Sequence, residues 1–445
     1  MGFLLSFIIP PLQNPDEPQH FGMILTFVNN DVDQLEVESE IIKLMDQHHW
    51  WKYLGMGRPS DLSQGFSKIK FFDFEDFNSV LKNRTIYHYC LAKICKILPN
   101  RETVKLYFFC RAVSFIFLML SLYIFYLTYK KILKISHYSY IFGFLFLFFL
   151  PQLLILSISV NIDALLIMLG ALFFYASTSL MIEGFSKIST LLIILTSFIG
   201  LLADKSSIFF SILLFILLII LKDNKKFISL LGIILFMILI ISLWAVWYFP
   251  SLYFGLIPQV KNHFVIFFAA ASYLWKSPSY NLRFTLLVID SFFLKFGWMA
   301  FSTHKFVYTI WRFFCASASL GILVFFITKF FRKREENEAS YESSIFLKLV
   351  FFFSLAVLVQ FGSAWIFLGG RNIAAQGRHF FSLLFPISFL FIHGNKVLCD
   401  KVSDKFGQLV IPVIIILEFI FLSYVLLAYI IPLYHISLLS PHGGL

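Results

Sequence analysis

Charge is what this sequence lacks. Asp, Glu, Lys and Arg make up 14% of its 445 residues, where soluble domains carry about a quarter. Acidic residues are the scarcer kind, 25 against 36 Lys and Arg, which leaves a formal charge of +11. So little charge excludes a soluble globular enzyme, and 59% hydrophobic residues exclude a disordered chain. Cysteine is also scarce. None of the five (Cys90, Cys95, Cys110, Cys315, Cys399) stands in a CxxC or Cys/His spacing, so neither a disulfide framework nor a cysteine metal site is indicated. No internal repeat is visible, which removes fibrous arrays and offers nothing to a transporter built from two related halves.

What is present is apolar: mean hydropathy is +0.83 and 59 residues are Phe. The composition indicates an all-α polytopic membrane protein, a single integral domain over 1–445. Apolar runs predict spans near 104–128, 138–158, 162–182, 188–203, 206–221, 227–249, 305–329, 345–368, 379–394 and 408–432. Residues 2–10 read as the tail of one more helix. Nine residues rise only about 13 Å, so either the start lies upstream or this stub enters one leaflet. The expectation is therefore about 10–11 transmembrane helices.

The basic residues sit between apolar runs, at Lys130/Lys131/Lys134, Lys222/Lys225/Lys226, Lys329/Arg332/Lys333/Arg334 and Lys396/Lys401/Lys405. That placement speaks for cytoplasmic loops and against a nucleic-acid surface. Threading all four clusters inside places 11–103 and 250–304 outside as two large extracytoplasmic loops. Within the first, 18–29, 34–48 and 79–98 read as amphipathic helices, suited to lie among lipid headgroups or to pack on the bundle.

Polar residues near the outside ends are the candidates for chemistry. Asp16 and Glu17 stand in a proline-stiffened segment with His20. They suit either a cap for the helix that Pro18 starts or a carboxylate pair beside an imidazole, able to take a proton or hold a divalent metal. Asn161 and Asp163 begin a span, with Asp163 as an N-cap or as part of the same outside cavity. Asp204 and Lys205 suit a self-neutralising turn or, through Lys205, a phosphate. Gln376-Gly377-Arg378-His379 suits headgroup anchoring or, through the guanidinium fork, phosphate binding. Arg111, early in its span, either snorkels outward or pairs with a carboxylate of the first loop. Glu418 lies inside the last span without an evident partner.

Pro10-Pro11-Leu12-Gln13-Asn14-Pro15-Asp16-Glu17-Pro18-Gln19-His20-Phe21 resembles the PPxxxPDExxHF motif of the bacterial membrane protein family called domain of unknown function 2142. Leu150-Pro151 with Ser159-Val160-Asn161-Ile162-Asp163-Ala164 resembles its Asn-Pro-Asp stretch, with Ile162 where the family has Pro. Ser291-Phe292-Phe293 with Phe296-Gly297-Trp298 resembles its Ser-Phe-Trp and Phe-Gly-Trp stretches. Gln376-Gly377-Arg378-His379 resembles its Gln-Gly-Arg-Tyr motif, with His379 in place of Tyr. The resemblance runs over roughly 9–390. The family is similar to the type-C (GT-C) glycosyltransferases, which implies a GT-C-like bundle and sugar transfer from a polyprenyl-phosphate donor to a cell-surface glycan or lipid. It implies Asp16 as catalytic base, Glu17 as its partner and Arg378, with Lys205, on the donor phosphate. His20, Asp163, Gln376 and His379 would support them. No certain cofactor follows, though a divalent metal fits the acidic motif; the expected partners are donor, acceptor and membrane lipids, and no nucleic acid. The resemblance places the active face outside a bacterial cytoplasmic membrane. A flippase or transporter for a lipid-linked saccharide, or a non-catalytic envelope-assembly subunit, is the alternative.

The topology has a direct check. In a cysteine-free background, a Cys replacing Leu62 is expected to be labelled by an impermeant reagent from outside, and one replacing Glu335 only after the membrane is opened. The reverse pattern overturns the orientation.

Overall fold

The computed structural model describes residues 8–14, 16–29, 34–53, 85–99, 102–204, 207–221, 278–296, 301–302, 304–332, 341–367, 376–432 and 434. Four short helices come from the first large loop: α1 (Glu17–Val28), α2 (Gln34–Gln47), α3 (Trp50–Tyr53) and α4 (Ile86–Ile97). Then follow α5 (Thr103–Ile132), α6 (Ile141–Phe149), α7 (Pro151–Ser157), α8 (Asp163–Glu183), α9 (Lys187–Ala203) and α10 (Ile208–Ile220). The remainder is α11 (Pro278–Leu294), α12 (Lys305–Arg332), α13 (Tyr341–Phe367), a 3-10 helix (Gly377–Leu383), α14 (Leu384–Asp400) and α15 (Asp404–Val425), the last prolonged by a π-helical turn, Leu426–Ile430. Lys295–Phe296 (β1) and Phe301–Ser302 (β2) form a minimal antiparallel pair.

The protein is an all-α polytopic membrane protein. Six stretches among the described residues are long and apolar enough to cross a bilayer: Thr103–Ile132, Asp163–Glu183, Lys305–Phe331, Glu342–Trp365, Gly377–Asp400 and Asp404–Ile430. Tyr138–Phe149, Lys187–Ala203 and Ile208–Ile220 are apolar but shorter, and the expected span at 227–249 lies outside the described residues. The expected single span at 138–158 is broken. Pro151 cannot donate to the preceding turn and its ring disfavours helical backbone at Leu150, which is extended at φ −66°, ψ 111°. The chain therefore makes α6 and restarts as α7.

The packing is that of a bundle in lipid. On α5, Ile116, Met119, Leu120 and Tyr123 are exposed, while Ser114, Ser121 and Thr128 are buried. Each of those hydroxyls donates to the carbonyl four residues back, at 3.2, 2.7 and 2.8 Å. Small polar residues inside and large apolar ones outside invert the soluble pattern. The stretches starting at Asp163 and Gly377 are the most enclosed, each 72% buried, and so form the centre of the bundle. α8 packs on α5 and α9; α14 packs on α12 and α15. Aromatic rings fill the interior, with Phe293 stacked on Trp311 at 4.7 Å and Phe146 on Phe391 at 4.7 Å.

The first-loop helices turn their apolar faces into the protein. Val37, Ile41, Leu44 and Met45 of α2 are buried, as are Tyr87, Leu91 and Cys95 of α4. Ile94 of α4 is 42% exposed, because the buried stripe there turns towards Ala92 and Cys95.

Where α12 crosses α14, backbone meets backbone. A Cβ on Gly394 would stand 2.0 Å from the Ala318 carbonyl oxygen, and one on Gly321 would stand 1.8 Å from that of Gly394. Gly394→Leu is expected to cost roughly 1–3 kcal/mol by overpacking, read as a lower melting temperature in detergent. An unchanged melt would mean that the helices separate without strain.

Candidate functional site

The opening segment of the first loop is anchored before it reaches the cavity. Its anchor is Arg111 of α5, 1% exposed, whose Nε donates to Glu17 Oε1 at 3.3 Å; Glu17 is 0% exposed. The same guanidinium donates to the carbonyls of Ile9 and Pro10, at 2.7 and 3.0 Å. Glu17 Oε1 also accepts from the Val160 amide at 2.9 Å, and Oε2 from that of Asn14 at 3.2 Å. Leu12, in the left-handed region at φ 65°, is clamped from both sides: its N–H donates to Tyr107 Oη at 2.8 Å and its carbonyl accepts from Trp50 Nε1 at 2.6 Å. Such strain persists only where the surroundings over-determine it.

This clamp separates the two adjacent carboxylates. Glu17 turns inward to Arg111. Asp16, also left-handed at φ 60°, occupies the N-cap position of α1 but makes no side-chain cap hydrogen bond. Its carboxylate faces instead a cavity of about 140 Å³. Asp163 likewise does not cap α8. Asn161 performs that task, its Oδ1 accepting from the Asp163 amide at 3.0 Å, and leaves the Asp163 carboxylate on the cavity wall.

The opposite wall is the 3-10 helix, and close contact sets its position. Gly377 N donates to Ser291 Oγ at 2.7 Å, and a Cβ on Gly377 would lie 2.2 Å from Phe292 N. A Cβ on Gly170 of α8 would lie 2.0 Å from the Ser382 carbonyl oxygen. Only glycine admits both approaches. Gln360 Nε2 donates to the His379 carbonyl at 2.7 Å and fixes the segment from α13. Arg378 thereby reaches the cavity, donates to Asp16 Oδ2, and lies 3.9 Å from Asp163 Oδ2. Its side chain is 11% exposed, and its Nε makes no hydrogen bond among the described residues.

The wall is completed by His20, Asp204, His379, Phe381 and Ser382. His20 Nδ1 is 2.8 Å from His88 Nε2 of α4. Burial pushes the Asp16 carboxyl up, but Arg378 first, then His20 and His379, more than offset this and hold it below the ordinary carboxylate range. Burial pushes His20 down to about 4, with Arg378 adding to the effect and Asp16 and Asp204 opposing it.

The structure thus brings Asp16, His20, Asp163, Arg378 and His379 to one cavity. Glu17 stands outside it, Gln376 is not among its lining residues, and Lys205 lies outside the described residues. His88 and Asp204 were not singled out for the site by sequence reading. For His88, the signal available was its place three residues into a helix start at Thr85; for Asp204, its position at the same membrane end. Among the described residues no three His, Cys, Asp or Glu side chains converge as a metal set. The guanidinium occupies the space between Asp16 and Asp163 that a cation would need, so these residues as arranged do not fit a metal.

The cavity sits at the end of the bundle opposite the C-terminal ends of α5 and α8, where Lys131 pairs with Glu183. An arginine held by carboxylates from two segments has a guanidinium fork of a kind that can also pair with an anion such as phosphate, in competition with those carboxylates.

Glu17 and Asp16 are expected to differ in stability. Glu17→Gln leaves the buried Arg111 charge uncompensated and is expected to cost about 3–5 kcal/mol; Asp16→Asn removes no cap bond and leaves Asp163 beside Arg378. Thermal melts of the two purified variants test this, and equal losses would refute the division of labour. Comparison with protein-family models, with curated proteins and with solved structures finds no match to this chain.

Proposed function

We propose that the protein is a membrane glycosyltransferase of GT-C type, moving a sugar from a polyprenyl-phosphate donor to a glycan or lipid acceptor at the extracytoplasmic face of a bacterial cell membrane. The observation that carries this reading is the pairing of Asp16 with Arg378, 362 positions apart, in one cavity at a membrane end. The resemblance of both surrounding motifs to the domain of unknown function 2142 family supports it.

In this mechanism the donor phosphate takes Arg378 as its counter-ion, through a fork suited to two phosphate oxygens. Asp16 then loses the charge that keeps it weakly basic. The acceptor hydroxyl oxygen forms a bond to the anomeric carbon while the bond from that carbon to the phosphate oxygen breaks. The electron pair leaves with the phosphate, stabilised by Arg378, and the hydroxyl proton passes to Asp16. Asp163 keeps a second carboxylate beside Arg378 and the sugar hydroxyls. Glu17 contributes by holding the loop.

A saccharide transporter is the second reading. Glu418 of α15 favours it, since this carboxylate is 0% exposed and neither oxygen makes a hydrogen bond among the described residues.

Asp16→Asn separates the two readings. It keeps the side-chain shape but cannot take up the proton, so transfer from a radiolabelled polyprenyl-phosphate sugar into membrane glycan is expected to fall by about a hundredfold or more. Protein amount, measured in the same membranes, is expected to hold. Full transfer by Asp16→Asn membranes would dismiss the base and bring the transporter forward.

A further inference from the structure

A chain of hydrogen bonds runs into the cavity from a backbone amide, and its direction is fixed at the start. Thr85 N is 3.1 Å from His88 Nδ1. A peptide N–H only donates, so His88 Nδ1 is the unprotonated nitrogen, and Thr85 Oγ1, 3.0 Å from the same atom, adds a hydroxyl donor. A neutral His88 therefore carries its proton on Nε2, the atom 2.8 Å from His20 Nδ1. That N–H donates to His20, whose Nδ1 accepts. The two rings lie nearly parallel, at 11°. His20 in turn keeps its proton on Nε2, the nitrogen left for the cavity whose wall it forms.

The same logic excludes the cation. Protonating His20 would set Nδ1–H against the Nε2–H of His88. Burial of both rings disfavours their charged forms, and Arg378 works in the same direction on His20, against Asp16 and Asp204.

We infer that His20 serves the cavity as a fixed N–H donor and not as a proton acceptor, its tautomer imposed from the Thr85 amide through His88. Its partner is an oxygen of the phosphate that Arg378 receives, an identification that rests on the transferase reading; the tautomer does not. His88 is then a positioning residue, acting through His20.

The test is 15N NMR of the full chain in nanodiscs with labelled histidine, assigned with His20→Gln and His88→Gln. Between about pH 5 and 8, both Nδ1 atoms are expected to resonate as unprotonated and both Nε2 atoms as protonated. A protonated His20 Nδ1, alone or in a cation, overturns the inference whatever the activity is. His88→Phe removes the donor and is expected to release His20 into a mixture of tautomers, while His88→Gln, whose amide replaces Nε2–H, restores the single form. His20 remaining in one tautomer in His88→Phe would refute the imposed orientation. Farnesyl phosphate and inorganic phosphate are then titrated separately. A shift of His20 Nε2–H with farnesyl phosphate alone supports a lipid phosphate, and a shift with both supports the bare group. No shift with either would overturn the phosphate-donor role while leaving the sugar-transfer assay free to stand.

Discussion

The architecture of the site depends on one buried ion pair. Arg111 and Glu17 are both almost wholly withdrawn from water, and such charges are costly to bury unless paired and hydrogen-bonded. Here they are both. Carbonyls of Ile9 and Pro10 and amides of Asn14 and Val160 fill out the remaining donors and acceptors. The pair is therefore a knot among three segments: the first loop, the start of α5 and the turn before α8. Because these contacts fix the residues on either side of it, Asp16 is delivered to the cavity wall. The neighbouring carboxylates have opposite environments: Glu17 is buried against Arg111, and Asp16 faces the cavity.

The second half of the site is delivered by absence of side chains. Gly170 and Gly377 let backbone touch backbone on both sides of the 3-10 helix. Loop and helix meet through Arg378. Its one positive charge stands between the carboxylates of Asp16 and Asp163, which would otherwise repel one another.

Much of this was legible in the sequence because membranes impose simple rules. Long apolar runs had to be helices, and scarce charges near their ends had to have partners. Asp16, Asp163 and Arg378 stood out on those grounds, and Arg111 offered itself to a first-loop carboxylate. Local grammar misled in particular places. Asp16 stands at the N-cap and Asp163 opens its helix, yet neither carboxylate caps: Asn161 accepts from the Asp163 amide, and no side chain caps α1. Residues 138–158 read as one span because composition outweighs a single Pro. His88 was hidden in an amphipathic pattern, since only tertiary contact shows that its far nitrogen meets His20.

The 3-10 form of Gly377–Leu383 has a geometric consequence for reach. Its pitch gives about three residues per turn, so side chains three apart are eclipsed. Arg378 and Phe381 share one azimuth, His379 and Ser382 the next, and all four line the cavity. Seven residues so wound extend about 14 Å, against roughly 10 Å in an α-helix. Rewinding the segment to α-helical pitch would turn each successive side chain through about 100° instead of about 120° and draw the guanidinium back towards α14. The winding of these seven residues, a little over two turns, thus gauges how far the cation projects from the bundle.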